Sequence, residues 1–380
     1  MSRVISVGTA VPQYVIAQDE ARQFAKQIFE GSFSNIDRLL TIFENTAIHK
    51  RRFSQPISWF EQERTLSERN QAYMETACQL GEEAIQQCLD AAGIAPQEID
   101  HIIFVSTTGI ATPSIDAYLI NQLEMNSHIK RTPIWGLGCA GGVAGLSRAY
   151  EFTKAFPDSK VLLLAVECCG LTFRRNDSSK SNLVATSLFA DGAAAVLVVG
   201  DEVDLSQSVN APRIVQSMST IWSDSLGVMG WEVMDDGLKV LFSKDIPTIV
   251  RSHVKPVVDQ LLTNRQLHIE EIEHFITHPG GMKVIQAYQE ALQVPMEKFT
   301  HAHSVLNEYG NMSSATVLFV LKRELEQGHR AGSYGLMNAL GPGFSSEMIL
   351  LKWEKETPPL TQSFSNDQTE PELSGVQEGV

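Results

Sequence analysis

The sequence predicts an α/β protein made of two duplicated α/β halves. Continuous apolar strands alternate with helices from Ile99 onward, as in IDHIIFVSTTG, PSIDAYLINQL, TPIWGLG and VLLLAVECC. The same order of strand, glycine turn and helix returns from Ile272, in IEHFITHPGG, MKVIQAYQEAL and YGNMSSATVLFVLKREL. The interval from Ile99 to Cys139 is 40 residues and that from Ile272 to Asn311 is 39, which sets Cys139 and Asn311 at equivalent turn-to-helix junctions. Continuous strands of this kind imply a mainly parallel sheet covered on both faces.

Taken in order, the chain opens with a short strand, RVISVGTAVP. Helices follow where apolar residues recur at three and four spacing: DEARQFAKQIFEG, NIDRLLTIFEN and the run from Asn70 to Ala92. Between them His49, Lys50, Arg51 and Arg52 read as a solvated basic turn, and as the best candidate for holding a phosphate-bearing ligand in so acidic a chain. Residues 1–210 form the first half, with Cys139. Residues 211–354 form the second, with His278 and Asn311. Residues 355–380, with five acidic residues and three prolines, are expected to be a disordered acidic tail.

Composition narrows the function. Of 380 residues 43% are apolar and 20% charged, and the net charge of −15 excludes a nucleic-acid-binding surface and adhesion to anionic membranes. No run of eighteen apolar residues occurs and the N-terminus lacks the regions of a signal peptide, so a cytoplasmic protein without membrane insertion is expected. Five cysteines form neither a disulfide framework nor a CxxC zinc pattern. Cys78, Cys88, Cys168 and Cys169 read as packing residues.

Cys139 stands apart. In GLGCAGGVAG it sits on a glycine turn opening a helix, where unpaired N–H groups and the helix dipole favour a thiolate and small neighbours clear space for a substrate. Gly136, Gly138 and Gly141 also spell G-x-G-x-x-G, with Glu167 after the next apolar run, so a dinucleotide-binding oxidoreductase is the rival reading. His278 follows a strand in THPGG, and Asn311 begins a helix as a favoured N-cap. Thiolate, imidazole and carboxamide on three loops make an acyl-transfer set.

GCAGG around Cys139, HPGG after His278, GNMSSA around Asn311, LFADGAAAVLV and GPGFSSE together resemble the type III polyketide synthases of the chalcone and stilbene synthase-like group, most closely the bacterial alkylpyrone synthases. The resemblance covers nearly the whole chain before residue 355. It implies a thiolase-like fold with a layered αβαβα core and a homodimer using acyl-CoA and malonyl-CoA, with no metal and no cofactor. Cys139 would take the acyl group, with its thiolate paired to His278. His278 and Asn311 would hold the enolate formed as malonyl-CoA loses CO2. Lys50, Arg51 and Arg52 fall in the region that meets the CoA phosphates. Phe189 matches a gatekeeper, and Thr108, Thr112, Cys169, Thr172 and Ser313 are assigned to the substrate cavity. Val240 stands where plant members carry a second gatekeeping phenylalanine, and with Thr112 and Cys169 this points to a wider, less polar cavity and a long aliphatic starter. An aromatic starter, a ketoacyl-synthase-like enzyme and a non-catalytic binding protein are the remaining alternatives.

Overall fold

The structure, a computed structural model, describes residues 2–204 and 211–354; the tail 355–380 lies outside them. Its main feature is one nine-stranded sheet. From edge to edge the strands are Ile272–Thr277, Tyr334–Gly341, Ser345–Lys352, Arg213–Ile221, Ser2–Ala10, Asp191–Val199, Lys160–Cys168, His101–Val105 and Lys130–Ile134.

The duplication is written into the pairing. From the central pair Ser2–Ala10 and Arg213–Ile221 outward, each half shows two antiparallel pairings and then a parallel one. The first half adds the parallel strand Lys130–Ile134 at its edge. The sheet is therefore mixed, not mainly parallel. The crossover through Ile115–Gln122 does join parallel neighbours, and Gly141–Ala155 returns the chain to the far side of His101–Val105, but the link through Lys180–Leu188 brings the chain back in the opposite direction. Lys160–Cys168 and Asp191–Val199 are buried along almost their whole length because both faces are covered.

Two helices lie at the centre. Gly141–Ala155 and Thr316–Glu326 each pack against strands of both halves as well as against each other, as the layered thiolase-like core requires. Their crossing is close: a Cβ at Gly142 would lie 2.3 Å from the Ser314 carbonyl oxygen, while one at Gly141 would meet Val105 Cγ1 on the underlying strand at 2.5 Å. The outer face of the first half is covered by Leu66–Ala92. There the Thr65 side chain accepts the Glu68 N–H at 3.2 Å, Glu68 accepts the Thr65 N–H at 2.9 Å, and Gly93 ends the helix at φ 65°.

Elements that went unread in the sequence include the central strand Arg213–Ile221, the hairpin Met229–Met234/Gly237–Phe242 and the helices Ile246–Thr263 and Thr300–Tyr309. The basic run is also corrected. Lys50–Phe53 is a strand paired with Tyr14–Ala17, not a solvated turn, and its two-residue alternation turns Arg51 and Phe53 inward while Lys50 and Arg52 stay partly accessible.

Candidate active site

Cys139 lies in a single 3-10 turn, Gly138–Ala140, that runs directly into Gly141–Ala155. Asn311 precedes the matching turn, Ser313–Ala315, ahead of Thr316–Glu326. The two turns touch, so the equivalent junctions of the halves converge. The side chains of Asn311 and Ser313 face the Cys139 sulfur and favour its ionised form. Asn311 Oδ1 accepts the Ser313 N–H at 2.9 Å, and Nδ2 donates to the Gly280 carbonyl at 3.2 Å. A backbone N–H can only donate, so the amide orientation is fixed and Nδ2 is left facing the HPGG turn with a second N–H to offer.

His278 follows Ile272–Thr277 directly, and its N–H donates to the Asn338 carbonyl at 2.9 Å. The ring is buried with neither nitrogen hydrogen-bonded. Asn311 thus joins the Cys139 turn to the His278 turn.

The electrostatics correct one expectation. Burial pushes the Cys139 thiol up to about 12, against hydrogen bonds from Ser313 and Asn311 that lower it, and burial alone pulls His278 down to about 3. Desolvation outweighs the helix terminus, so neither charge is favourable on its own.

The glycines are reinterpreted too. Gly138, at φ 48°, faces Pro342, to which an added Cβ would come within 2.8 Å; Gly142 makes room for Ser314 of the opposite half, and Gly141 chiefly for Val105 of its own half. Gly141 and Gly142 thus permit close packing under the Cys139 turn, and of the three only Gly138 borders the cavity at the sulfur. Glu167 is buried, accepting hydrogen bonds from Thr107 Oγ1 at 2.8 Å, Thr108 Oγ1 at 3.0 Å, Ser314 Oγ at 2.6 Å and the Thr107 N–H at 3.0 Å. It ties the halves together behind the cysteine and is committed there, which removes the dinucleotide reading.

Phe189, Val240, Cys169 and Ala185 form a separate apolar cluster, with Trp231 and Phe242 against it. On one side Gly138, Cys139, Ser313 and Pro342 share with Phe189 and Val240 a cavity of about 30 Å³. On the other, Phe24, Phe53, Phe60 and Phe173, with Cys169 and Thr172, line a cavity of about 50 Å³ that also reaches Phe189 and Val240. Phe189 and Val240 therefore form the wall between the two. The space a phenylalanine would take at Val240 is partly filled by Trp231, whose ring centroid is 5.9 Å from that of Phe189. The hairpin that carries Trp231 had no signal in the sequence reading.

Other assignments do not hold as read. Arg51 is buried, donates to the Thr186 and Phe189 carbonyls at 2.8 Å, and is pulled by desolvation to about 9, so it is a packing residue and not a phosphate ligand. Thr108 serves Glu167 and accepts the Cys168 N–H at 2.8 Å, and it lines neither cavity. Thr112 is exposed and lines neither. Beside the HPGG turn a larger groove of about 420 Å³ is bordered by Gly280, Gly281, Leu188, Arg38, Lys244 and Lys283. Its three cations come from separate elements, so the sequence does not show them as a cluster.

Comparison with known proteins agrees with this geometry. The N-terminal domain of chalcone and stilbene synthases matches residues 1–202 and the C-terminal domain residues 213–353. A putative chalcone synthase of Bacillus subtilis (strain 168) is 45% identical over 363 residues, 93% of this chain and 100% of that one. The 1,3,6,8-tetrahydroxynaphthalene synthase of Streptomyces peucetius subsp. caesius is 34% identical, over 92% of this chain and 93% of its own length. The crystal structure of the Streptomyces coelicolor A3(2) tetrahydroxynaphthalene synthase superposes with TM-score 0.87 at 30% identity, covering 93% of this chain and 99% of that one. Fold and site together define a condensing acyltransferase of the thiolase-like fold. The chain belongs to the chalcone and stilbene synthase family, and it is a type III polyketide synthase.

Proposed function

We propose that this synthase primes with a long-chain fatty acyl-CoA, extends it with malonyl-CoA and closes the product to an alkylpyrone. The observation that carries the proposal is the aromatic-lined cavity behind Phe189 and Val240. Cys169, Phe24, Phe53, Phe60 and Phe173 give it an apolar wall; at about 50 Å³ it admits a long saturated tail only when these side chains move aside.

The residues take these roles. The Cys139 thiol gives its proton to His278 as the sulfur attacks the starter thioester, CoA departs as a thiol, and the acyl group stays on sulfur. Malonyl-CoA then loses CO2. The electron pair left behind forms an enolate whose oxygen receives hydrogen bonds from the His278 ring and Asn311 Nδ2. The carbanion attacks the Cys139 thioester and releases the sulfur, and the chain grows on CoA. This route uses CoA thioesters as substrates and draws on no further cofactor.

The CoA phosphates fit the groove beside Gly280 and Gly281, where Arg38, Lys244 and Lys283 supply positive charge in an acidic protein. Lys50 and Arg52 keep only a flanking role. A homodimer fits the exposed Ile110, Tyr118 and Trp135 around Thr112. No helix among the described residues is long and apolar enough to cross a membrane.

A second reading has one observation in its favour: the cysteine side of the wall is small and crowded by Trp231 and Phe242, which suits a short starter. Incubating the protein with malonyl-CoA and a ladder of acyl-CoA esters, and weighing the products, separates the two. Alkylpyrones from long chains support the first. Products built from malonyl-CoA alone, unchanged by added acyl-CoA, overturn it.

A further inference from the structure

We propose that His274, Glu324 and His329, with His301 beside them, form a binding site for a divalent transition-metal ion of the zinc class. The site lies at the opposite end from His278 of the strand Ile272–Thr277, about 13 Å away along the backbone at about 3.3 Å per residue.

The donors come from separate elements. His274 is on that strand, Glu324 in the last turn of Thr316–Glu326, His329 in the segment before Tyr334–Gly341, and His301 in the first turn of Thr300–Tyr309. One donor atom from each of His274, Glu324 and His329 lies within 4.8 Å of the others. His274 Nδ1 is 2.8 Å and His329 Nδ1 3.9 Å from Glu324 Oε1, while His301 Nε2 is 3.8 Å from Oε2. These separations bracket the edge of about 3.3 Å that zinc–donor bonds of about 2.0–2.1 Å give in a tetrahedron.

Three features favour an ion over a self-contained network. Glu324 Oε1 is buried and has no hydrogen-bond partner although His274 Nδ1 is only 2.8 Å away, so the two atoms are close without being aligned on each other. The ion-pair partners of the Glu324 carboxylate among the described residues are imidazoles, and a buried carboxylate calls for a full cation. The His329 Nε2–H donates to the Glu324 carbonyl at 2.5 Å, which puts the ring's lone pair on Nδ1, 3.3 Å from His274 Nε2 and on the side of the Glu324 carboxylate. Trp353 stacks on His329 at 4.1 Å and meets His274 edge-on at 5.0 Å, which orients both rings. Imidazole nitrogens with a single carboxylate oxygen suit Zn(II), Co(II) or Ni(II) better than Ca(II) or Mg(II). An ion there would pin strand, helix and loop, and would stabilise the folded chain by mass action.

The test uses the full chain stripped with EDTA and titrated with Co(II), followed by visible absorption, and with Zn(II) against a chromophoric chelator, each with thermal unfolding. The expected result is one equivalent bound and a higher Tm, in the natural protein and equally in Cys139→Ala, which excludes the active-site thiol. Glu324→Gln and His274→Asn should each weaken binding by at least about tenfold, the loss that even an outer partner of a metal site produces. His274 is only partly buried, so its variant keeps the test open if Glu324→Gln does not fold. Failure to bind one equivalent, or binding that both variants leave unchanged, overturns the site and leaves a hydrogen-bonded cluster.

Discussion

Phe189 and Asn311 meet as an isolated parallel bridge: the Ala190 N–H donates to the Asn311 carbonyl at 2.9 Å, and the Asn311 N–H to the Leu188 carbonyl at 2.9 Å. The residue that divides the two cavities and the residue proposed to stabilise the enolate are thus held together through backbone, across the two halves. Side-chain changes at Phe189 should leave Asn311 in place. Phe189→Leu is therefore expected to alter the distribution of product chain lengths while malonyl-CoA decarboxylation stays within a few-fold of the natural protein, read by product mass spectrometry and CO2 release.

Gly142 tests the reinterpretation of the glycine turn. A methyl group there meets the Ser314 carbonyl oxygen at 2.3 Å, so Gly142→Ala must push apart the central helices. Overpacking of this kind costs about 1–3 kcal/mol. Denaturant unfolding should show that loss together with reduced activity; full stability would mean that the space serves something else.

Arg51 and the groove cations should separate cleanly. Arg51→Met leaves the Thr186 and Phe189 carbonyls without their donor, at about 1–3 kcal/mol for each buried group left unpaired, and should lower stability without a selective effect on the KM for CoA esters. Arg38→Ala or Lys283→Ala should raise that KM with little change in Tm. Steady-state kinetics and thermal unfolding of the three variants give the comparison.

His278 should govern the reactivity of Cys139. Burial, the largest of several influences, holds the thiol at about 12, so in His278→Ala the iodoacetamide alkylation of Cys139 should rise only at strongly alkaline pH, whereas the natural protein reacts at lower pH. The stability sign follows from the same burial. The ring is neutral in the fold, down to about 3, against 6.5 ordinarily, so the unfolded chain binds the extra proton between these values. Relative to His278→Gln, the natural protein should lose stability as pH falls from 6.5 toward 3, by up to about 1.4 kcal/mol per unit. A flat difference would contradict a buried neutral imidazole.

Cys139, His278 and Asn311 were legible because each sits where a strand or turn meets a helix, and glycine, proline and capping chemistry mark such junctions locally. The helices Gln18–Phe29 and Met282–Leu292 were legible from their apolar spacing for the same reason. What failed was non-local. The direction of Asp191–Val199 depends on which strand it pairs with, and Arg51 turns inward because of its strand partner Ile16, 35 residues away in Tyr14–Ala17. Gly142 carries the mark of a cleared space, but only Ser314 of the opposite half shows what fills it. Trp231, beside Phe189, comes from a hairpin whose alternation is too weak to read alone.

The most direct measurement is the mass of the protein after incubation with a long-chain acyl-CoA in the absence of malonyl-CoA. The account predicts one acyl group, mapped by peptide analysis to Cys139, absent in Cys139→Ala, slowed in His278→Ala, and still formed in Asn311→Ala, which should instead lose malonyl-CoA decarboxylation by about 10²–10³-fold. An acyl group on another residue, or its persistence in Cys139→Ala, would contradict it.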